Sequence, residues 1–89
     1  MKVEFRRSFL RDLQRFRERE PLARLEGAIQ EIERAPGIHE IRGLRKIRGE
    51  AHYYRIRIGD YRLGVILKRD DTVVVVRFMH RRDIYKYFP

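Results

Sequence analysis

Three short segments in the second half of the chain hold residues that could do chemistry: Tyr54-Arg55-Ile56-Arg57, Gly59-Asp60-Tyr61-Arg62 and His80-Arg81-Arg82-Asp83-Ile84-Tyr85. Together they supply clustered cations, one group that titrates near neutrality and one aromatic ring, the parts needed to hold and cleave a phosphodiester. Guanidinium groups grip phosphate oxygens in pairs and stay charged, so they can neutralise a developing dianionic transition state. Covalent catalysis by the protein has little to work with. Cysteine is absent, and Ser8 and Thr72 are the only Ser or Thr residues, one at an expected helix cap and one at a strand start. A nucleophile must then come from the substrate, and RNA carries a 2′-hydroxyl beside each phosphate where DNA does not. His80 stands beside Arg81 and Arg82, whose charges favour the neutral imidazole of a general base or proton shuttle. His39 and His52 read as surface or structural residues. No histidines sit at ligand spacing with acids or thiols, and the six glycines are scattered, so neither a metal nor an organic cofactor is expected. Tyr85 suits either stacking on a base or packing of a last helical turn.

These residues need a sheet to bring them together. Residues 2–6 alternate as a short strand. Ser8 reads as the N-cap of a helix with Phe9, Leu13 and Phe16 at helical spacing. Pro21 suits the first turn of a second, antiparallel helix with Leu22, Leu25, Ala28, Ile29 and Ile32 along one stripe, ended by Ala35-Pro36-Gly37. After residue 40 the period falls to two. Residues 44–48 read as a strand or an extended loop, residues 52–58, 61–68 and 72–79 as strands, and residues 81–88 as a final helical turn. The predicted class is α+β: an N-terminal strand, a two-helix antiparallel hairpin, an antiparallel sheet of three to four strands and a short C-terminal helical tail.

Gly59-Asp60 is a two-residue hairpin signal; Asp70-Asp71 is a weaker one with an open loop length. The first turn pairs Ile58 with Tyr61, Arg57 with Arg62, Ile56 with Leu63 and Arg55 with Gly64. Alternation then collects Tyr54, Ile56, Ile58, Tyr61, Leu63, Val65 and Leu67 on a core face. A two-residue second turn adds Val74, Val76 and Phe78 to it. The opposite face holds Arg55, Arg57, Arg62 and Arg77, with Gly64 leaving open space among them. Such a face could simply be solvated. Opposed like charges destabilise a sheet, however, and no acids are interleaved, which favours phosphate binding.

At 89 residues the chain reads as one domain, residues 1–89, with a single modest core. The net charge of +9 favours a polyanionic partner, and its placement is lopsided. Residues 1–40 hold nine Lys/Arg and eight Asp/Glu, a net of +1, whereas residues 41–89 hold thirteen and five, a net of +8. The functional surface should therefore come from the second half. The absence of cysteine fits a reducing cytoplasm, and no apolar run predicts a secretion signal or a membrane span.

The run from Tyr54 to Leu63 and the tail from His80 to Tyr85 closely resemble the RelE/ParE toxin superfamily of bacterial and archaeal toxin–antitoxin systems. The likeness spans nearly the whole chain. It implies a RelE-like fold and, in RelE-type members, a ribosome-dependent endoribonuclease that cuts mRNA in the A site. By this resemblance Arg55 and Arg57 match the paired basic residues before the turn, Arg62 the arginine after the turn tyrosine, Arg81 the basic tail residue and Tyr85 the tail tyrosine. Well-studied RelE toxins carry lysines where this chain has Arg55 and Arg57. Arginine hardly deprotonates, so His80 becomes the candidate base, as related toxins place a catalytic histidine in this tail. Some relatives use a glutamate; Glu40 and Glu50 read here as ordinary surface residues.

The leading expectation is an mRNA interferase. Arg55, Arg57 and Arg62 would hold the scissile phosphate, and Arg81 would stabilise charge. His80 would deprotonate the 2′-hydroxyl or protonate the 5′-oxygen, and Tyr85 would stack on the substrate. Arg45, Lys46, Arg48, Arg77 and Arg82 would extend the RNA-binding surface. The partners implied are a cognate antitoxin, the ribosome and mRNA. The competing expectations are a ParE-like gyrase poison that cleaves no RNA and a decayed toxin that only binds the ribosome.

Overall fold

A computed structural model describes residues 1–69 and 71–89. Strand β1 (Lys2–Phe5) leads into helices α1 (Arg7–Arg15) and α2 (Arg19–Arg34). A single 3-10 turn (Ile38–Glu40) precedes β2 (Leu44–Lys46), β3 (Tyr53–Ile58), β4 (Tyr61–Lys68), β5 (Thr72–His80) and the short helix α3 (Ile84–Tyr87). The sheet order is β1-β5-β4-β3-β2. The expected class holds, with one enlargement. The sheet has five strands and is mixed, because β1 runs parallel to β5 from Lys2 opposite Thr72 to Phe5 opposite Val75. The helical hairpin between β1 and the rest is what carries the chain back to make a parallel pair.

The helices form where their apolar stripes find the sheet. Phe9 of α1 and Leu25 and Ile32 of α2 are buried against Ile56, Leu63, Val65, Val73, Val75 and Phe78. Pro21 lies in the first turn of α2, where its missing N–H costs nothing. Ser8 does not cap α1. It sits inside the helix, and its Oγ donates to the Val76 carbonyl at 2.6 Å. That bond has a topological reason. β1 ends opposite Val75, so the outer edge of β5 beyond it has no strand neighbour, and Ser8 and Asp12, four residues apart on α1, serve its backbone instead.

The β3–β4 hairpin has the expected register throughout, Ile58 opposite Tyr61 and Arg55 opposite Gly64. Gly59 takes φ 59°, the left-handed conformation that a primed hairpin turn needs at its first central position. The β4–β5 connection differs from expectation. The Asp70-Asp71 signal falls partly on Asp70, outside the described residues, but Lys68 pairs with Thr72, leaving three residues between the strands. The register then shifts at Gly64/Val65, where Val76 is bulged. Val73 and Val75 therefore occupy the core face in place of Val74 and Val76, and beyond the bulge Phe78 returns to the expected side. A bulge restores the parity that the longer loop changed.

Candidate functional site

The far face of the sheet carries two ranks of side chains. In the first, successive pairing across β2, β3, β4 and β5 lines up Arg45, Arg55, Gly64 and Arg77. In the second, Arg57 stands opposite Arg62, with Met79 next. The tail lies across the first rank. The Arg55 guanidinium carbon is 4.7 Å from the centre of the Tyr85 ring, and that of Arg77 is 5.3 Å from the Tyr87 ring. Between them, Phe88 fills the gap above Gly64, where an added Cβ would meet the Phe88 ring at 2.6 Å. The space beside Gly64 is thus occupied, contrary to expectation. Ile84, Phe88 and Val74 are each almost fully buried, though outside the main core cluster.

Arg77 lies on the expected face, but its charge is already engaged. Its Nε and Nη2 donate to Asp12 Oδ2 and Oδ1, both at 2.9 Å, and Asp12 Oδ2 also accepts the Phe78 N–H at 2.9 Å. The hydrogen bonds to Asp12 hold the Arg77 pKa above its ordinary value, against the opposing effect of burial. Arg77 is accordingly a strut between sheet and helix, and Asp12 is a structural residue that sequence reading missed. The available signal was a lone acid one turn from Ser8 on an otherwise basic helix.

Arg55, Arg57, Arg62 and Arg81 are different. Among the described residues the ion pairs are Lys68–Glu4 and Arg77–Asp12, so none of these four guanidiniums has a carboxylate partner. Arg62 Nη1 donates to the carbonyls of Gly59 and Tyr61, each at 2.9 Å. Its pKa is pulled down by burial and then by the charges of Arg57, Arg55 and Arg81, with Asp60 opposing. Arg62 therefore stands within reach of the charges of the other three. The Arg81 N–H donates to the Asp60 carbonyl at 2.8 Å, which ties the start of the tail to the hairpin turn. Arg55 Nη1 is buried and has no hydrogen-bond partner. An unsatisfied buried donor is costly unless something supplies an acceptor.

A cavity of ≈ 560 Å³ opens beside Arg55, lined by Arg45, Lys46, Arg48, Tyr85 and Phe88 among others. That size suits a nucleotide. Tyr85 is 67% exposed, so the rest of its surface remains accessible beside this cavity. The basic residues expected on β2 and its following loop therefore do converge with Arg55 and Tyr85.

His80 and Arg82 do not join this cluster. His80 pairs with Tyr61, and their rings meet edge to face at 5.4 Å on the side where Tyr61 packs against Phe16 and Phe78. His80 Nδ1 accepts the Arg82 N–H at 3.1 Å. A second cavity of ≈ 500 Å³ there is lined by Asp12, Arg15, Tyr61, Arg77 and His80 among others. The reason is strand parity. Met79, opposite Arg62, shares the arginine face, and His80, the next residue along the strand, points the other way. Tyr61 is held by its hydroxyl bond to Glu18 Oε1 (3.2 Å), and burial followed by that bond raises its pKa.

Comparison with known proteins bears on the family and the fold. A family model described as the ParE toxin of type II toxin–antitoxin system, parDE, matches residues 3–85. Toxin RelE3 of Methanocaldococcus jannaschii is 36% identical over 90 residues, covering 100% of both chains. Among solved structures, the RelB-RelE antitoxin-toxin complex from Methanococcus jannaschii contains a chain 33% identical, with a TM-score of 0.80, covering 98% of this chain and 100% of that one. The RelBE2 toxin-antitoxin complex from Mycobacterium tuberculosis contains one 30% identical, with a TM-score of 0.71, covering 90% and 96%.

Proposed function

The chain belongs to the ParE toxin family of type II toxin–antitoxin systems, and on that premise we propose that it is a RelE-like mRNA interferase. One observation carries this reading: four arginines, none with a carboxylate partner among the described residues, gather around Arg62 beside an exposed tyrosine, on the face of the sheet turned away from α1 and α2. Like charges gathered without acids are stabilised by an anion, and a phosphodiester fits the donors. Arg57 and Arg62 hold the non-bridging oxygens of the scissile phosphate. Arg81, anchored at the turn, faces the charge that develops on the departing 5′-oxygen. Arg55, which lines the cavity, takes a neighbouring phosphate oxygen, while Tyr85 receives a base and Arg45, Lys46 and Arg48 guide the backbone.

The 2′-hydroxyl attacks the adjacent phosphorus, leaving a 2′,3′-cyclic phosphate and a 5′-hydroxyl end. With His80 across the sheet, the cluster offers arginines and a tyrosine, so the side chains act by electrostatic stabilisation. The 2′-hydroxyl proton leaves to water or to the ribosome, and the departing 5′-oxygen takes its proton from the same source. A ribosomal substrate places the toxin in the cytoplasm. A RelB-like antitoxin is its natural antagonist. The apolar groove of ≈ 540 Å³ between α1 and α2, with Phe5 and Leu10 half-exposed at its rim, is a second surface for such a partner besides the basic cleft.

The test is cleavage of a ribosome-bound mRNA by the purified toxin, mapped by primer extension. A 2′-deoxy substitution at the mapped nucleotide should abolish the cut. The family model's ParE description favours one other reading, a gyrase poison. DNA damage on induction with intact mRNA would establish that reading in place of the nuclease.

A further inference from the structure

The tail that carries Tyr85 is too short to place itself. α3 spans four residues, Ile84–Tyr87, far fewer than an isolated helix needs to persist in water. Its position must come from what it touches. Tyr85 and Tyr87 are 67% and 55% exposed and meet the sheet through arginine side chains, which are themselves long and flexible. The firm contacts are Ile84 and Phe88, 1% and 3% exposed. The Phe88 N–H closes the turn on the Ile84 carbonyl at 2.8 Å, and its ring lies 5.6 Å from that of Tyr53.

The seat of Phe88 is specific. It lies over Gly64, in the middle of the first cationic rank, where a methyl group would stand 2.6 Å from Phe88 Cδ2. The backbone there does not itself demand glycine, since Gly64 is in the middle of β4 without a left-handed φ. Glycine inside a strand weakens it and often marks the close approach of another group. Here the group is an aromatic ring three residues from Tyr85, close enough along a helical turn to fix its pose.

We propose that Phe88 is a positioning residue. Its ring, seated on Gly64, holds the tail so that Tyr85 lies over Arg55 with its other surface open to an RNA base. The proposal rests on the nuclease reading above for its consequence, but not for its geometry. Two measurements separate the parts.

The chain has no tryptophan, so Tyr85→Trp supplies a single fluorescent reporter in the tail. Adding Phe88→Ala should release it, seen as a rise in iodide quenching and a fall in anisotropy while the far-ultraviolet spectrum is kept. Gly64→Ala, which pushes the ring out, should do the same, and the two together should do no more than either alone. Unchanged quenching in both variants would overturn the proposal.

The second measurement is cleavage on the ribosome. Phe88→Ala should lower it by about tenfold to a hundredfold, the range expected when stacking on one base is lost, and Phe88→Leu should restore part of it. Tyr85→Ala with Phe88→Ala should cleave no worse than Tyr85→Ala alone, because Phe88 acts through Tyr85. Multiplicative losses would overturn the positioning role, as would full activity with a released tail. If the wild-type toxin cuts no RNA while Arg55, Arg57 and Arg62 are intact, the nuclease reading fails, and the quenching measurement alone decides whether Phe88 holds the tail.

Discussion

On the helix-covered face of the sheet, Leu63, Val65, Val73 and Val75 are completely shut off from solvent. On the other face, residues one position along the same strands are Arg62 and Gly64, with Arg55 and Arg57 beside them on β3. Leu63 and Arg62 are chain neighbours and do opposite things. Burial on the first face removes apolar surface from water and stabilises the fold. On the second, burial and then neighbouring cations lower the pKa of Arg62, and a buried donor of Arg55 is left unmatched. That face costs stability and is tolerable because the other supplies it, a division expected where binding demands an unfavourable arrangement. The tail moderates the cost, since its tyrosine rings lie against Arg55 and Arg77 and the faces of aromatic rings attract cations.

The contrast can be tested by substitution. Leu63→Ala should lower unfolding free energy by as much as about 5 kcal/mol in urea denaturation, with cleavage per folded molecule kept. Its neighbour should behave in reverse. Arg62→Ala should cut cleavage by about a hundredfold to a thousandfold, the usual cost of removing a charge-stabilising donor, with a nearly unchanged midpoint of unfolding. If Arg62→Ala instead unfolds the protein, or cleaves normally, the division between faces is wrong. Asp12→Ala should cost about 1–3 kcal/mol in the same denaturation experiment, because it strands both the Arg77 guanidinium and the Phe78 N–H. Asp12→Asn, which can still accept from Phe78, should recover part of that.

Lys68→Ala should cost under about 1 kcal/mol, as its pair with Glu4 is open to solvent and screened. The smallest effect is expected at His80. His80→Ala should leave cleavage within a few fold of wild type, and the cleavage rate should climb steadily with pH rather than trace a bell. A hundredfold loss there would mean that the two sides of the sheet cooperate in a way that strand parity denies.

Much of this was legible from short-range pattern. The Gly59-Asp60 turn and the alternation around it predict which arginines oppose one another, and the pairing of Arg57 with Arg62 and Arg55 with Gly64 follows from counting. The same counting failed at β5, where a longer turn and a bulge at Val76 each move the register by one and cancel only beyond Val76. At His80 the counting holds, since it lies opposite Tyr61, but the expected chemical role rested on its adjacency to Arg81 and Arg82 and not on its side of the sheet.

What the chain by itself determined is the sum of local choices: which segments are strands and helices, which residues alternate, and that positive charge gathers in the second half. Those depend on a few neighbouring residues and on backbone stereochemistry, so they can be read along a line. Only the tertiary structure decided that β1 lies parallel to β5, that Asp12 absorbs Arg77, that Phe88 closes the gap over Gly64, and that four arginines have no carboxylate partner among the described residues. Each of those joins residues far apart in the chain, with Asp12 and Arg77 separated by 65 positions. Which distant groups meet depends on how the whole core packs, and no local pattern encodes that.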